Sequence, residues 1–373
     1  GKKSLITTAK GGVLSVIKIN KLSKNGQDIN LSIDQRIQYI VYNALKKQVT
    51  KIKADSGSAV VLNPYTGEVL AAVSYPSFNP NKKSDRVSIG VKNRAITDRF
   101  EPGSVMKPFI IAAALQNNII TTDTVIKTSP GYYYIKKHRI RDDSNYGDVT
   151  PAKIIQKSSN IGASKIARML PRIKLYQFLS SVGFGQPPGG NFPSATAGYL
   201  PDFSKLGEFS YATFSFGYGL SASCLQLAKA ASIFANGGYI YPTSFLKLKH
   251  KPIGRQIISP EISLEVRKMM YTVTNKGGTG MLANIPGYDV AGKTGTAHQV
   301  KNGKYKNTYN AIFTGVAPLK NPKIVVAIRI DHPKRSYYDT FGGIAAAPVF
   351  AEIAKNTLRI MAIPMSKNEI NKK

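Results

Sequence analysis

The 373-residue chain is 42% hydrophobic and carries 52 Lys and Arg against 20 Asp and Glu, a formal net charge of +32, so it is long enough for one large domain or two ordinary ones with a real core. A single cysteine, Cys224, excludes an internal disulfide and a multi-cysteine metal site, and His138, His250, His298 and His332 are too scattered to form a metal set, so no metal or cofactor is expected. The charge suits an anionic surface, but the lysines are spread along the whole chain and no nucleic-acid fingerprint accompanies them, which argues against DNA or RNA as the partner.

Residues 1–27 are polar and glycine-punctuated apart from Val13 to Ile19, and read as an edge strand or a remnant of a preceding pedestal or linker rather than a domain. Gly1 reads as a cleavage scar and Gly11-Gly12 as a joint. No apolar run approaches the ~20 residues of a membrane span and no signal peptide is present, so the protein is expected to be soluble or to have its anchor left off. Residues 28–373 form the main domain. Asp34 to Lys53 carries a helical stripe (Ile37, Ile40, Val41, Ala44, Leu45, Val49), with Ser32 and Asp34 as caps. Ser58 to Leu62 and Glu68 to Ser74 read as a hairpin about Asn63-Pro64-Tyr65-Thr66-Gly67.

A loop follows, then Arg99-Phe100-Glu101-Pro102-Gly103-Ser104-Val105-Met106-Lys107-Pro108 and the apolar run Phe109 to Leu115. Pro102-Gly103 breaks what precedes, and Pro108 is tolerated only near a helix start, so a helix begins at or beside Ser104. Residues three apart share a helix face, which lets the Lys107 amine reach the Ser104 hydroxyl; a serine with an adjacent base of lowered pKa is a nucleophile. Alone the pattern is weak, since Ser15/Lys18 and Ser244/Lys247 repeat it, and taken by itself it is better explained by a helix-capping serine beside a snorkelling lysine.

Tyr132 to Ile140 alternates weakly. Pro151 to Gln156 and Ile161 to Leu170 read as helices flanking Lys157-Ser158-Ser159-Asn160. Gly183 to Pro201 reads as loop, and Phe214 to Gly219 as a glycine-spaced aromatic turn before helical Cys224 to Asn236. Ser259 to Thr274 is another helix. Val290-Ala291-Gly292 leads into Lys293-Thr294-Gly295-Thr296, Ala311 to Ala317 with Lys323 to Ile330 forms a second hairpin, and a helix near Ala345 to Met361 closes the chain. Strands at both ends with helices between predict an α/β (α+β) fold: one antiparallel sheet flanked by helices, plus a helical subdomain.

Ser-x-Asn occurs at Ser23, Ser77, Ser158 and Ser366, but Lys-Thr-Gly occurs once, at Lys293. Ser104, Ser158 and Lys293 come in order on a helix start, an inter-helix loop and a strand, and together they suit acyl transfer. Ser104 attacks a carbonyl, Lys107 takes its proton, Ser158 relays a proton to the departing amine, and Asn160 orients Lys107 and the substrate amide. Lys293 disfavours protonated Lys107 and, with Thr294 and Thr296, attracts a carboxylate. The backbone N–H groups of Ser104 and Thr296 form the expected oxyanion hole.

These motifs resemble those of the penicillin-binding, active-site-serine acyltransferases. Over roughly Asp28 to Arg359 the likeness is to class B penicillin-binding proteins of the division-specific type, carried by Asn93 to Pro108, Gln156 to Asn160, Ala-Thr-Phe-Ser-Phe-Gly-Tyr-Gly at 212–219, Gly315 to Pro318 and Ala347 to Phe350. The resemblance implies the penicillin-binding transpeptidase, or serine β-lactamase-like, fold. It implies a D,D-transpeptidase that cross-links peptidoglycan stem peptides, taking a D-Ala-D-Ala donor and an amine acceptor. It implies Gly295, Tyr218 and Phe341 as further substrate-binding positions and β-lactams as covalent inhibitors of Ser104. It also implies a septal glycan polymerase and division proteins as partners, and an inner-membrane anchor with the catalytic domain in the periplasm. Val105-Met106, Ala222-Ser223-Cys224 and Thr340 depart from the usual pattern; Cys224 reads as a buried small residue. A β-lactamase of similar fold needs a glutamate in the loop corresponding to Gly183–Pro201, which holds no acid, while a non-catalytic penicillin sensor would not need all five polar side chains.

Overall fold

In the computed structural model the described residues are 2–87, 89–190, 192, 194–301 and 303–365, with side chains 86, 87, 89, 301 and 304 left aside; Gly1 and Ser366 lie outside them. The chain separates into two compact units, residues 1–31 and 32–373.

The first unit is an antiparallel ribbon of β1 (Lys2–Thr7) and β2 (Val13–Lys21), with almost every side chain exposed. Gly11-Gly12 closes its turn: Thr8 N–H donates to the Gly12 carbonyl, and Gly11 takes φ +81°. Two strands alone bury no core.

The second unit begins with α1 (Gln35–Lys51), capped by the Asp34 carboxylate at the N–H groups of Arg36 and Ile37. Ser32 is not a cap: its hydroxyl donates to the carbonyls of Val69 and Ser244, pinning the chain to the edge of the sheet. β3 (Ser56–Leu62) and β4 (Val69–Tyr75) form the expected hairpin. A single 3-10 turn at Gly103–Met106 opens α2 (Lys107–Gln116). A small hairpin of β5 (Tyr132–Ile135) and β6 (His138–Arg141) precedes α3 (Pro151–Lys157), α4 (Asn160–Met169) and α5 (Arg172–Ser181). α6 (Glu208–Phe214), α7 (Cys224–Ala231) and α8 (Pro260–Thr274) follow. The chain then returns to the sheet through β7 (Ala291–Lys301), β8 (Lys304–Ala317) and β9 (Ile324–Asp331) and ends in α9 (Ala347–Ile360).

The five strands lie in the order β7-β8-β9-β3-β4, antiparallel throughout, so β7 is an edge strand. Alternate side chains feed two cores. Val60, Leu62, Ile312, Val316, Val325 and Ala327 pack on one face with α2 and the helical insertion; Ala59, Val61, Phe313, Val326, Ile328 and Ile330 pack on the other with α1 and α9. Burial on both faces is why these strands read as continuous apolar runs rather than as alternation. α2 is apolar all round because neighbours cover it on every side, with Lys107 through Leu115 buried. The chain thus runs a helix buried on every side directly away from Ser104. Among the described residues no helix is long and apolar enough to cross a membrane.

Candidate active site

Three segments converge at the end of α2. Gly103, at φ +59°, turns the chain beneath β7, where a Cβ on it would stand 3.1 Å from the Thr296 carbonyl oxygen. Gly217 of the aromatic turn approaches closer still: a Cβ on it would collide with the backbone of Gly103, whose N–H donates to the Gly217 carbonyl (3.3 Å). Ser104 follows in the 3-10 turn, and Lys107 lies one turn on, its side chain fully buried.

The Lys107 amine is the centre of the cluster. It donates to Ser104 Oγ (2.9 Å), Ser158 Oγ (3.0 Å), Asn160 Oδ1 (2.8 Å) and the Ser158 carbonyl. Ser158 sits between α3 and α4 in the left-handed region, φ 60° and ψ 39°, a conformation a serine holds only when its surroundings impose it. Its Oγ also accepts from Lys293 Nζ at 3.0 Å, so one hydroxyl joins both amines. Lys293 is equally buried and donates to the Thr294 carbonyl (3.1 Å) and Thr294 Oγ1 (3.3 Å).

Burial decides the charge here. Loss of water pulls the Lys107 ammonium down to about 7, against the opposing pull of Asp142 and Asp143. Lys293 lies well below the ordinary lysine range, first through burial and then through repulsion from Lys107. Sequence reasoning expected Lys293 to depress Lys107; the leading cause is desolvation, and the like-charge effect falls on Lys293.

The cluster opens into a cavity of about 450 Å³ lined by Ser104, Asp143, Ser158, Asn160, Thr294 and Thr296, with Thr279, Tyr338 and the Phe341–Ile344 segment opposite. Thr294 is oriented by Thr279, hydroxyl to hydroxyl at 2.7 Å, and Thr296 Oγ1 accepts from Gly342 N–H at 3.1 Å. A strand residue points its N–H and C=O the same way, so the Thr296 N–H shares the Gly103 side of β7 with its carbonyl. Phe341 is 39% exposed at the rim. Gly295 lies under the nucleophile segment, where a Cβ would meet the Pro102 carbonyl oxygen at 2.7 Å. Tyr218 is not among the cavity's walls; its ring stands edge-on to Tyr305 at 5.7 Å.

Two features had no sequence signal. Asp142, just after β6, accepts from the Ser159 hydroxyl (2.5 Å) and from the N–H groups of Asn160 (2.5 Å) and Ile161 (3.0 Å), while Ser159 caps Gly162 N–H (2.9 Å). That composite cap fixes the start of α4 and hence Asn160, whose amide also donates to the Arg141 carbonyl (3.2 Å). Glu101 is tied by one oxygen to Gly219 N–H (2.8 Å) and the Tyr305 hydroxyl (3.1 Å), and burial raises its pKa. Cys224 is fully buried beside Ser58, its thiol pushed up to about 11 by burial, as expected of a packing residue. Glu208 is engaged by Arg172 and Arg168 on the helical insertion.

The family model of the penicillin-binding protein transpeptidase domain matches residues 57–355. The chain is 40% identical over 370 residues to the probable peptidoglycan D,D-transpeptidase PenA of Neisseria flavescens, across 98% of this chain and 92% of that protein. It is 39% identical to the probable peptidoglycan D,D-transpeptidase PbpC of Pseudomonas aeruginosa, across 98% of this chain and 64% of that one. It is 41% identical to the peptidoglycan D,D-transpeptidase FtsI of Buchnera aphidicola, across 92% of this chain and 60% of that one, so it spans less than two thirds of the latter two. The transpeptidase domain of penicillin-binding protein 3 from Burkholderia pseudomallei superposes with a TM-score of 0.83 at 39% identity, over 92% of this chain and 99% of that one.

Proposed function

This chain belongs to the penicillin-binding protein transpeptidase family, and from that premise we propose that it is a serine D,D-transpeptidase cross-linking peptidoglycan stem peptides during septal wall synthesis. The observation that carries the reading is the buried Lys107 amine within 3.0 Å of Ser104, Ser158 and Asn160. At a pKa of about 7 a large fraction of Lys107 is neutral at physiological pH and accepts the Ser104 proton as the hydroxyl attacks. The Ser104 Oγ–carbon bond forms, the N–H groups of Ser104 and Thr296 hold the oxyanion, and the proton passes from Lys107 through Ser158 to the nitrogen of the terminal D-alanine as the amide bond breaks. The amine of a neighbouring stem then attacks the ester; its proton returns along the same path to Ser104 Oγ, and the cross-link leaves. Thr294 and Thr296, with Lys293, take the donor carboxylate. Gly295 lets β7 lie flat under Pro102, and Phe341 walls the donor side.

β-Lactams, as mimics of the donor, acylate the same serine. A septal glycan polymerase and other division proteins are the partners this reading gives the whole protein, anchored in the inner membrane with this domain in the periplasm; residues 1–27 would belong to its pedestal or linker and 28–373 to the transpeptidase domain. The FtsI names of the relatives support the septal role. The test is labelling with a fluorescent penicillin, followed by intact mass. One adduct on Ser104, absent from Ser104→Ala, is expected; persistent labelling of that variant overturns the assignment.

A further inference from the structure

Among the described residues, the catalytic cavity has one charged side chain in its lining, and it is an acid. Asp143 lines the space shared by Ser104, Ser158 and Asn160, while the two lysines lie beneath the floor. Its carboxylate is exposed and, among the described residues, takes no hydrogen bond or ion pair, unlike Asp142 beside it, which is consumed by the cap on α4. It is close enough to Lys107 for its charge to favour the protonated amine there. An acid at that place makes the first half of the reaction harder, because it opposes the neutral lysine that Ser104 needs. In a chain of net charge +32 with 20 acids in all, such a group calls for a compensating use.

The second half of the reaction supplies one. Resting on the transpeptidase reading above, the acceptor is an amine, and an alkylamine travels as an ammonium ion at neutral pH. The protein's overall field repels it. We propose that Asp143 is the specificity residue that docks the ammonium form of the acceptor at the mouth of the acyl-enzyme, so that an amine rather than water is held beside the ester. The carboxylate pairs with the ammonium; the amine then sheds a proton to solvent and turns toward the Ser104 ester, which Asp143 itself does not touch. An exposed pair at contact distance changes affinity by up to about fivefold.

The experiment acylates wild type, Asp143→Asn and Asp143→Glu with a thioester donor ending in D-alanine and compares three fates: hydrolysis, aminolysis by an acetylated, amidated lysine peptide whose only amine is cationic, and attack by hydroxylamine, which is uncharged at neutral pH. The expected result is that D143N raises KM for the lysine peptide up to about fivefold with kcat changed less than twofold, spares hydroxylamine, and is rescued by D143E. The acid limb of benzylpenicillin acylation should also move to lower pH in D143N, since Lys107 then faces Lys293 and Asp142 but one negative charge fewer. If KM for both nucleophiles is unchanged, Asp143 is a surface charge and the proposal fails. If D143N instead prolongs the penicilloyl-enzyme lifetime, the carboxylate serves water and the proposal also fails. Absence of acylation in wild type would overturn the transpeptidase reading, a result separable from either.

Discussion

The proton inventory at Ser104 makes the acylation rate a direct reporter of Lys107. With a pKa of about 7, Lys107 is roughly 10% neutral at pH 6 and roughly 90% neutral at pH 8. Acylation by a fluorescent penicillin should therefore rise about tenfold between those values and level off above pH 8. A lysine at its ordinary value of 10.5 would be only about 0.3% neutral at pH 8 and would drive a continuing tenfold rise per pH unit. The sign follows from burial, which penalises the ammonium and so lowers the pKa. Because the side chain is inaccessible to solvent, the midpoint should move little between about 0.05 and 0.5 M salt, unlike that of an exposed group. The assay is the second-order labelling rate from pH 5.5 to 9.5 at constant ionic strength. A profile flat from pH 6 to 8, or one still climbing at pH 9, would refute the claim that the buried amine is the base.

Two substitutions probe the scaffold. Gly217→Ala places a Cβ 2.1 Å from the Gly103 carbonyl oxygen at φ +90°, a backbone collision that no rotamer relieves; left-handed strain of ~1–2 kcal/mol plus overpacking of ~1–3 kcal/mol should lower the melting temperature by several degrees and cut penicillin labelling together with it. Unchanged labelling would show that the turn does not set the Ser104 geometry. Asp142→Asn retains one acceptor oxygen but leaves part of the cap on α4 unpaired, so a loss of ~1–3 kcal/mol in thermal unfolding and at least ~10-fold slower acylation are expected; stability lost without any loss of acylation would confine Asp142 to folding.

What the sequence reveals of this site is what local chemistry encodes. Ser104 and Lys107 are legible because a proline-glycine break and a helical spacing fix their relation within a single turn, and the unique Lys-Thr-Gly marks β7 whatever lies opposite it. The strands of the sheet are equally legible where both faces are buried, as in Ser56–Leu62 and Ile324–Asp331. The polar outer half of the β7–β8 hairpin is not, because residues such as Lys306, Asn307 and Thr308 project beyond the cores and carry no burial pattern. β8 therefore reads as beginning only at Ala311, although it starts at Lys304.

The acids at 142 and 143 are invisible for a different reason. Their roles depend on a contact between the end of β6 and the start of α4, 18 positions apart for the Asp142–Asn160 pair, with neither spacing nor residue type marking them. The same long-range contact gives the site its opposed halves. Two buried amines joined through one hydroxyl lower the cost of deprotonating Ser104, and an exposed carboxylate at the rim raises it again. An enzyme built only to acquire an acyl group would gain by replacing that carboxylate. One that must also hand the acyl group to an incoming cation has reason to keep it, and the balance between the two half-reactions is then set by a residue outside all three motifs.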